Sequence, residues 1–235
     1  MRFMSDLLAQ TGPSRESIED ALGVAQTIVE YAGTIAFAVS AALLAGRRRM
    51  NFVGVVVFGI LVATGGGTTR DVLLGDLPVY WVTEPAPLFV AALAAAATIP
   101  LFKTGTLSLI QRYDLVRVSD AAGLALFTVL GTNVALDSGA GAVSAVVVGV
   151  IAGVGGGILR DTMAERIPEV LTSGSLYGSA AIVGSAMNIA LLETAMWPTV
   201  ASSVAVVFIF SVRILSVHFH WGVARFTVER RDDAG

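Results

Sequence analysis

GGGTTRDVLLGDLPVYWV at residues 65–82 and GGGILRD at residues 155–161 are the stretches whose reading decides how this chain folds. Each sets three consecutive glycines, two further residues and an adjacent Arg-Asp pair into an otherwise apolar run. Glycine weakens a helix by about 1 kcal/mol relative to alanine and reaches backbone angles closed to other residues, so each triplet predicts a kink or an unwound turn. The copies stand 90 residues apart. The same shift aligns, without a gap, Gly33 with Gly123, Phe37 with Phe127, Gly59 with Gly149 and Pro78 with Pro168. From position 33 to 78 it yields 14 identities in 46 positions, several at spaced residues that a shared apolar composition would not align. The chain therefore carries an internal duplication.

The surroundings of these motifs are built for lipid. Of 235 residues 55% are hydrophobic and 14% charged, and a mean hydropathy of +0.77 exceeds what a water-facing surface tolerates. Apolar runs at 25–44, 52–63, 86–102, 121–136, 142–154, 175–192 and 199–217 predict an all-α membrane protein with seven transmembrane helices. Five of the runs approach the length that spans about 30 Å of hydrocarbon. The second and fifth stop at the triplets and must be broken there or continue past them. The expected organisation is a polar N-terminal extension over 1–24, a three-helix repeat over 25–103, a second over 104–193, a seventh helix over 194–220 and a tail over 221–235. The extension lacks the apolar block and cleavage site of a signal peptide. Three crossings is an odd number, so the second repeat enters the membrane from the side opposite to the first: the repeats are inverted.

Orientation follows from Lys and Arg, which resist translocation. One face collects Arg47, Arg48, Arg49, Lys103, Arg112, Arg117, Arg160, Arg166, Arg225, Arg230 and Arg231, and the other has Arg2, Arg15 and Arg70. The N-terminus is expected outside and the C-terminus in the cytoplasm, in a multi-pass cell-membrane protein.

Inverted repeats with interrupted helices build many transport proteins, with the pathway near the repeat interface. A break frees backbone carbonyls, which lipid cannot satisfy, so the triplets are expected to face the interior. Carbonyls and the negative end of the preceding half-helix suit a dehydrating monovalent cation. Gly65, Gly66, Gly67, Gly155, Gly156 and Gly157 are thus pore-kink candidates, and the alternative is that they only permit close helix crossing. Arg70, Asp71, Arg160 and Asp161, near opposite mouths, are candidates for a charged gate or for structural pairs anchoring the broken helices. Thr64, Asn133, Ser185 and Asn188 fall within apolar runs and are candidates for pathway lining or interhelical hydrogen bonding. Arg47, Arg48 and Arg49 are candidates for anionic-lipid contact, and Lys103 and Arg213 for snorkelling to headgroups. Trp81, Trp197 and Trp221 fit interfacial belts.

Other classes find little support. The chain has no cysteine, a net charge of −3 and no basic run interleaved with aromatics, which argues against thiolate chemistry, cysteine metal sites and nucleic acid. No metalloprotease His pair or nucleophile elbow is present, and the glycine motif lacks the Lys-Ser/Thr of a phosphate loop, so neither an enzyme nor a cofactor is expected. His218 and His220, two apart, fall on different helix faces, and no metal is expected beyond transient K+.

The doubled motif and the helix count resemble the prokaryotic members of the trimeric intracellular cation channel family, over about residues 29–217. The resemblance implies a homotrimer whose protomers each hold an hourglass pore, permeable to potassium and less selectively to sodium, framed by helices 2 and 5 kinked at the two triplets. The animal channels carry a basic lipid-binding motif beside the second triplet; Ile158, Leu159, Arg160 and Asp161 stand there without a lysine, which argues against phosphoinositide regulation. The chain is similar as well to bacterial proteins described as glycine-type transporters. The alternative to a channel is a secondary transporter for a small amino acid such as glycine.

Overall fold

A computed structural model of the chain describes residues 15–103, 114–172, 176–194 and 196–221. Positions 1–14 of the expected extension, Arg112, and the expected tail beyond 221 with Arg225, Arg230 and Arg231 lie outside the described residues, as does the side chain of Lys103. The described residues form α1 Arg15–Arg47, α2 Phe52–Leu74, α3 Ala86–Lys103, α4 Leu115–Asp137, α5 Ala142–Met163, α6 Gly178–Leu192 and α7 Pro198–His218. A one-turn helix, Tyr80–Thr83, follows α2, and a 3₁₀ turn, Glu169–Leu171, follows α5. Among the described residues five helices are long and apolar enough to cross a membrane, and Ala86–Phe102 and Gly178–Leu192 are shorter apolar helices. Their outer faces carry exposed valine, leucine and phenylalanine, such as Val53, Val57, Phe89, Leu93, Val143, Val200, Val204 and Val207, which only lipid or another apolar partner suits. The protein is a multi-pass membrane protein.

One expectation is corrected. The glycine triplets do not unwind: α2 and α5 are unbroken helix through 65–67 and 155–157, for 23 and 22 residues. Propensity is a weak prior that packing overrides, and here the glycines are wedged between neighbouring helices.

Local signals set the ends of α2. The Asn51 side chain accepts from the Gly54 N–H at 2.8 Å, and Gly75, at φ 72°, turns the chain out through hydrogen bonds to the Asp71 and Val72 carbonyls.

Packing repeats with the sequence. α1, α2 and α3 pack on one another, as do α4, α5 and α6. The halves join through α1 against α4 and α2 against α5, and α7 lies on α4 and α6. The contacts across the join exchange under the 90-residue shift. The Phe37 ring covers Gly123 and the Phe127 ring covers Gly33, where an added Cβ would sit 2.6 and 2.8 Å from them. The two rings stack with centroids 5.5 Å apart. A Cβ on Gly66 would run into the Ala152 carbonyl oxygen, and one on Gly156 would come within 3.0 Å of the Val62 carbonyl oxygen. Because 62 faces 156 while 66 faces 152, α2 and α5 cross antiparallel at their triplets.

Gly66→Ala and Gly156→Ala are therefore expected to destabilise the protein by about 1–3 kcal/mol each through overpacking. Gly23→Ala, where a Cβ meets nothing within 4 Å, should be neutral or stabilising. Thermal unfolding of the detergent-purified variants checks the contrast, and equal effects at all three sites would contradict it.

Candidate functional site

Because α2 and α5 run antiparallel, each places its Arg-Asp pair beyond the crossing in opposite directions. Arg70 and Arg160 stand four residues past Gly66 and Gly156, about 6 Å along their helices. The two ends are here called the first and second mouths.

At the first mouth, Arg70 Nε donates to Asp71 Oδ1 at 2.7 Å, and the second Asp71 oxygen accepts the Tyr80 backbone N–H at 2.9 Å. Asp71 thus fastens the turn after α2 to the end of that helix. The Arg70 guanidinium lies 3.7 Å from Glu30 of α1 and 5.5 Å from the centre of the Tyr80 ring. That ring rests on Gly67, where a Cβ would be 2.7 Å from it.

The second mouth repeats this arrangement. Arg160 Nε donates to Asp161 Oδ1 at 2.9 Å, and the other Asp161 oxygen accepts the Glu169 N–H at 3.0 Å. Arg160 also lies 2.8 Å from Asp120 of α4, and Asp120 is the residue 90 positions after Glu30. Tyr177 sits on Gly157, as Tyr80 sits on Gly67. Each triplet therefore has a division of labour. Its middle glycine accepts a carbonyl of the other helix, and its third glycine makes room for a tyrosine.

Here the equivalence ends. Tyr177 donates its hydroxyl to Asp120 at 3.1 Å, and Arg160 donates to Ser40 of α1 at 2.9 Å. From α7, the fully buried Arg213 guanidinium reaches 2.7 Å from Glu169, 3.9 Å from Asp120 and 4.5 Å from the Tyr177 ring centre. Arg117 lies 3.4 Å from the other Glu169 oxygen. Arg213 therefore does not snorkel to headgroups as expected: carboxylates on α4 and the 3₁₀ turn compensate its charge inside the protein.

The other sequence candidates are distributed elsewhere. Asn188 donates to Asn133 at 2.7 Å, Asn133 to Ser202 at 3.0 Å, and Ser185 pairs with Thr132 at 2.6 Å, which ties α4, α6 and α7 together away from the α2–α5 crossing. Thr64 lies at the crossing, with its hydroxyl on the Ile60 carbonyl of its own helix. Arg47, Arg48 and Arg49 are exposed between α1 and α2, and Arg47 lies 4.0 Å from Asp114. Among the described residues no group of three or more His, Cys, Asp or Glu is placed to hold a metal. Glu30, Asp120, Tyr80, Tyr177 and Glu169 complete the mouths without having been singled out, and Arg213 joins them in a role other than the one expected of it. The 90-residue shift would have found Glu30 and Asp120 had it scored acid against acid rather than identity.

Comparison with known proteins bears on this geometry. A family model described as Glycine transporter matches twice, at residues 27–103 and 117–193. The inner membrane protein YadS of Escherichia coli is 37% identical over 204 residues, 86% of this chain and 96% of its own. The membrane protein YvgT of Bacillus subtilis is 33% identical over 198 residues, 84% of this chain and 95% of its own. Among solved structures, the TRIC trimeric intracellular cation channel orthologue from Rhodobacter sphaeroides superposes with a TM-score of 0.77 at 34% identity, covering 83% of this chain and 97% of that one. A prokaryotic TRIC channel crystallised in 0.5 M KCl superposes with a TM-score of 0.77 at 27% identity, covering 84% and 98%.

Glu169 gives the second mouth a pH dependence. Burial pushes its carboxyl up, and the guanidinium groups of Arg213, Arg117 and Arg160 outweigh burial and hold it below its ordinary 4.5. Such a group contributes stability that is fully present above its ordinary value and is lost as pH falls through the lowered one. Thermal stability of the purified protein should therefore drop on acidification below pH 4.5. Glu169→Gln, which strips the buried Arg213 of its nearest carboxylate, should cost about 3 kcal/mol at neutral pH and diminish the acid-induced loss. An unchanged pH profile in the variant would remove Glu169 from this role.

Proposed function

The chain belongs to the glycine-transporter family, in company with prokaryotic TRIC channels of known structure, and from that membership we propose that it is a channel for monovalent cations, potassium among them. The observation that carries the reading is the antiparallel crossing of two glycine-triplet helices with a self-neutralised Arg-Asp pair beyond each side, on a backbone like that of TRIC channels. An isolated arginine would repel a cation. Arg70 and Arg160, each bonded to its neighbouring aspartate, present mouths that carry no excess positive charge.

In this reading α1 to α3 and α4 to α6 are two inverted units, within 25–103 and 104–193, and α7 within 194–220 is an addition to the second. The pathway runs through the protomer past the crossing of α2 and α5. The triplets, Gly65 to Gly67 and Gly155 to Gly157, are the places where those helices bend as the pathway opens, since glycine lowers the helix's resistance there. The Arg-Asp pairs act as gates by holding the turns at Tyr80 and Glu169 against the helix ends. Three copies assemble, as the trimeric Rhodobacter orthologue does. The first mouth faces outward and the second faces the cytoplasm, with the basic residues at 47–49 at the lipid headgroups.

The family description favours a second reading, uptake of glycine by alternating access, which the same inverted architecture serves. Recordings from purified protein in planar bilayers with asymmetric KCl separate the two. The channel reading expects unitary current steps that reverse near the potassium potential. Silent bilayers together with saturable glycine uptake into liposomes would replace it with the transporter.

A further inference from the structure

The two mouths differ in how the acid on the first helix of each unit is compensated, Asp120 being fully buried and Glu30 half-buried. Asp120, fully buried, lies 2.8 Å from Arg160, receives the Tyr177 hydroxyl at 3.1 Å and has a second guanidinium, Arg213, at 3.9 Å. Around the second mouth, Asp120, Asp161 and Glu169 face Arg160, Arg213 and Arg117, so charges balance. At the first mouth, Glu30 and Asp71, with the Glu84 carboxylate also acting on Glu30, face Arg70 among the described residues, and Arg70 is bonded to Asp71 at 2.7 Å while Glu30 is 3.7 Å away. At least one negative charge is left over. α7, which supplies the second guanidinium, packs on α4 and α6 and brings no such group to the first mouth.

Oxygens are left over at both ends: at the second mouth Asp120 Oδ2 is buried without a hydrogen bond but has the Arg213 guanidinium at 3.9 Å. Glu30 Oε1, the Tyr80 hydroxyl and the Thr34 hydroxyl are buried without a hydrogen-bond partner among the described residues. Thr34 is fully buried one turn along α1 from Glu30, on the same face. Thr27, Thr64, Thr68, Thr69 and Thr132 all give their hydroxyls to the carbonyl four residues back, and Thr34 does not. A half-buried carboxylate whose one guanidinium is shared with Asp71, flanked by unpartnered oxygens, suits a counter-ion of one positive charge.

We propose that the first mouth binds a monovalent metal cation at the Glu30 carboxylate, with the Tyr80 and Thr34 hydroxyl oxygens beside it, in the part that the Arg213 guanidinium plays toward Asp120 at the second mouth. A divalent ion is a poor fit, since it takes six or more oxygens with several carboxylates, and Glu30 stands beside Arg70. The site rests on the channel reading only for the claim that the bound ion is the permeant one. It makes the pathway unequal at its two ends, with a loading position at the first mouth and a built-in cation at the second.

Thallous ion, a heavy stand-in for potassium, tests the site by its anomalous scattering in crystals of the full-length protein. An anomalous peak is expected at the Glu30 carboxylate in the wild type, retained in Glu30→Asp and lost in Glu30→Gln. In solution, raising K+ against N-methylglucamine at constant ionic strength should stabilise the wild type, by about a hundredfold in the folding equilibrium at a hundred times the dissociation constant, and leave Glu30→Gln flat. No peak at Glu30 in a protein that conducts overturns the site and leaves the channel standing. A peak at Glu30 in a protein that carries no current supports the site and removes the channel. Stabilisation by glycine or Ca2+ in place of K+ overturns it, as does a K+ response that survives Glu30→Gln.

Discussion

The crossing of α2 against α5 is the constraint from which the rest of the molecule takes its position. Gly66 and Gly156 each lie against a carbonyl of the opposite helix, at Ala152 and Val62, where any Cβ would hold the backbones apart. Close approach of this kind is how membrane helices gain attraction, since lipid contributes little hydrophobic drive between them. The approach is made twice, and the two instances exchange under one shift of register. The Phe37–Phe127 stack repeats the same exchange between α1 and α4. Everything beyond the crossing is then placed by helix geometry, including both Arg-Asp pairs and the turns they hold.

Much of this was legible in the sequence, and what was legible was periodic. The apolar runs located seven helices because lipid imposes length and hydrophobicity on each crossing. The register shift located the duplication because glycines at 33, 59 and 65–67 are irreplaceable where neighbours leave no room, so both copies kept them. The continuity of α2 and α5 was not legible. Propensity counts what a glycine lacks and is blind to what fills its place, here the Tyr80 ring on Gly67 and Tyr177 on Gly157. Those tyrosines sit 13 and 20 residues past their glycines, so no single shift relates them. Arg213 was misread for a similar reason. A cation near a helix end points to the headgroups unless a carboxylate waits inside, and Glu169, Asp120 and the face of Tyr177 come from three other segments.

The seventh helix is what makes a duplicated fold asymmetric. α7 lies on α4 and α6 and delivers one guanidinium into the second mouth. Glu169 there is gripped three ways, by Asp161 at its backbone, Arg213 at one oxygen and Arg117 at the other. The corresponding turn at the first mouth is held by Asp71 through the Tyr80 backbone, with the Tyr80 ring against Gly67 and the Arg70 guanidinium. Moving the second turn means separating several charges, whereas the first turn is held to α2 by two hydrogen bonds, from the Tyr80 N–H to Asp71 and from Trp81 Nε1 to the Thr68 hydroxyl.

Buried arginines beside a cation route look like a contradiction, and the geometry resolves it by subtraction. Each arginine is matched by the aspartate next to it in sequence, at 2.7 Å in the first pair and 2.8 Å in the second. What is left at each end is then the acid on the first helix of each three-helix unit, Glu30 or Asp120. The second repeat spends that remainder on Arg213. The first sets against Glu30 only the Arg70 guanidinium, 3.7 Å away and already bonded to Asp71, among the described residues, and a carboxylate so shared attracts a mobile charge of opposite sign. A fold matched twice over its length, whose halves differ by one guanidinium, is thus unequal at its two ends, although the crossing at its centre is not.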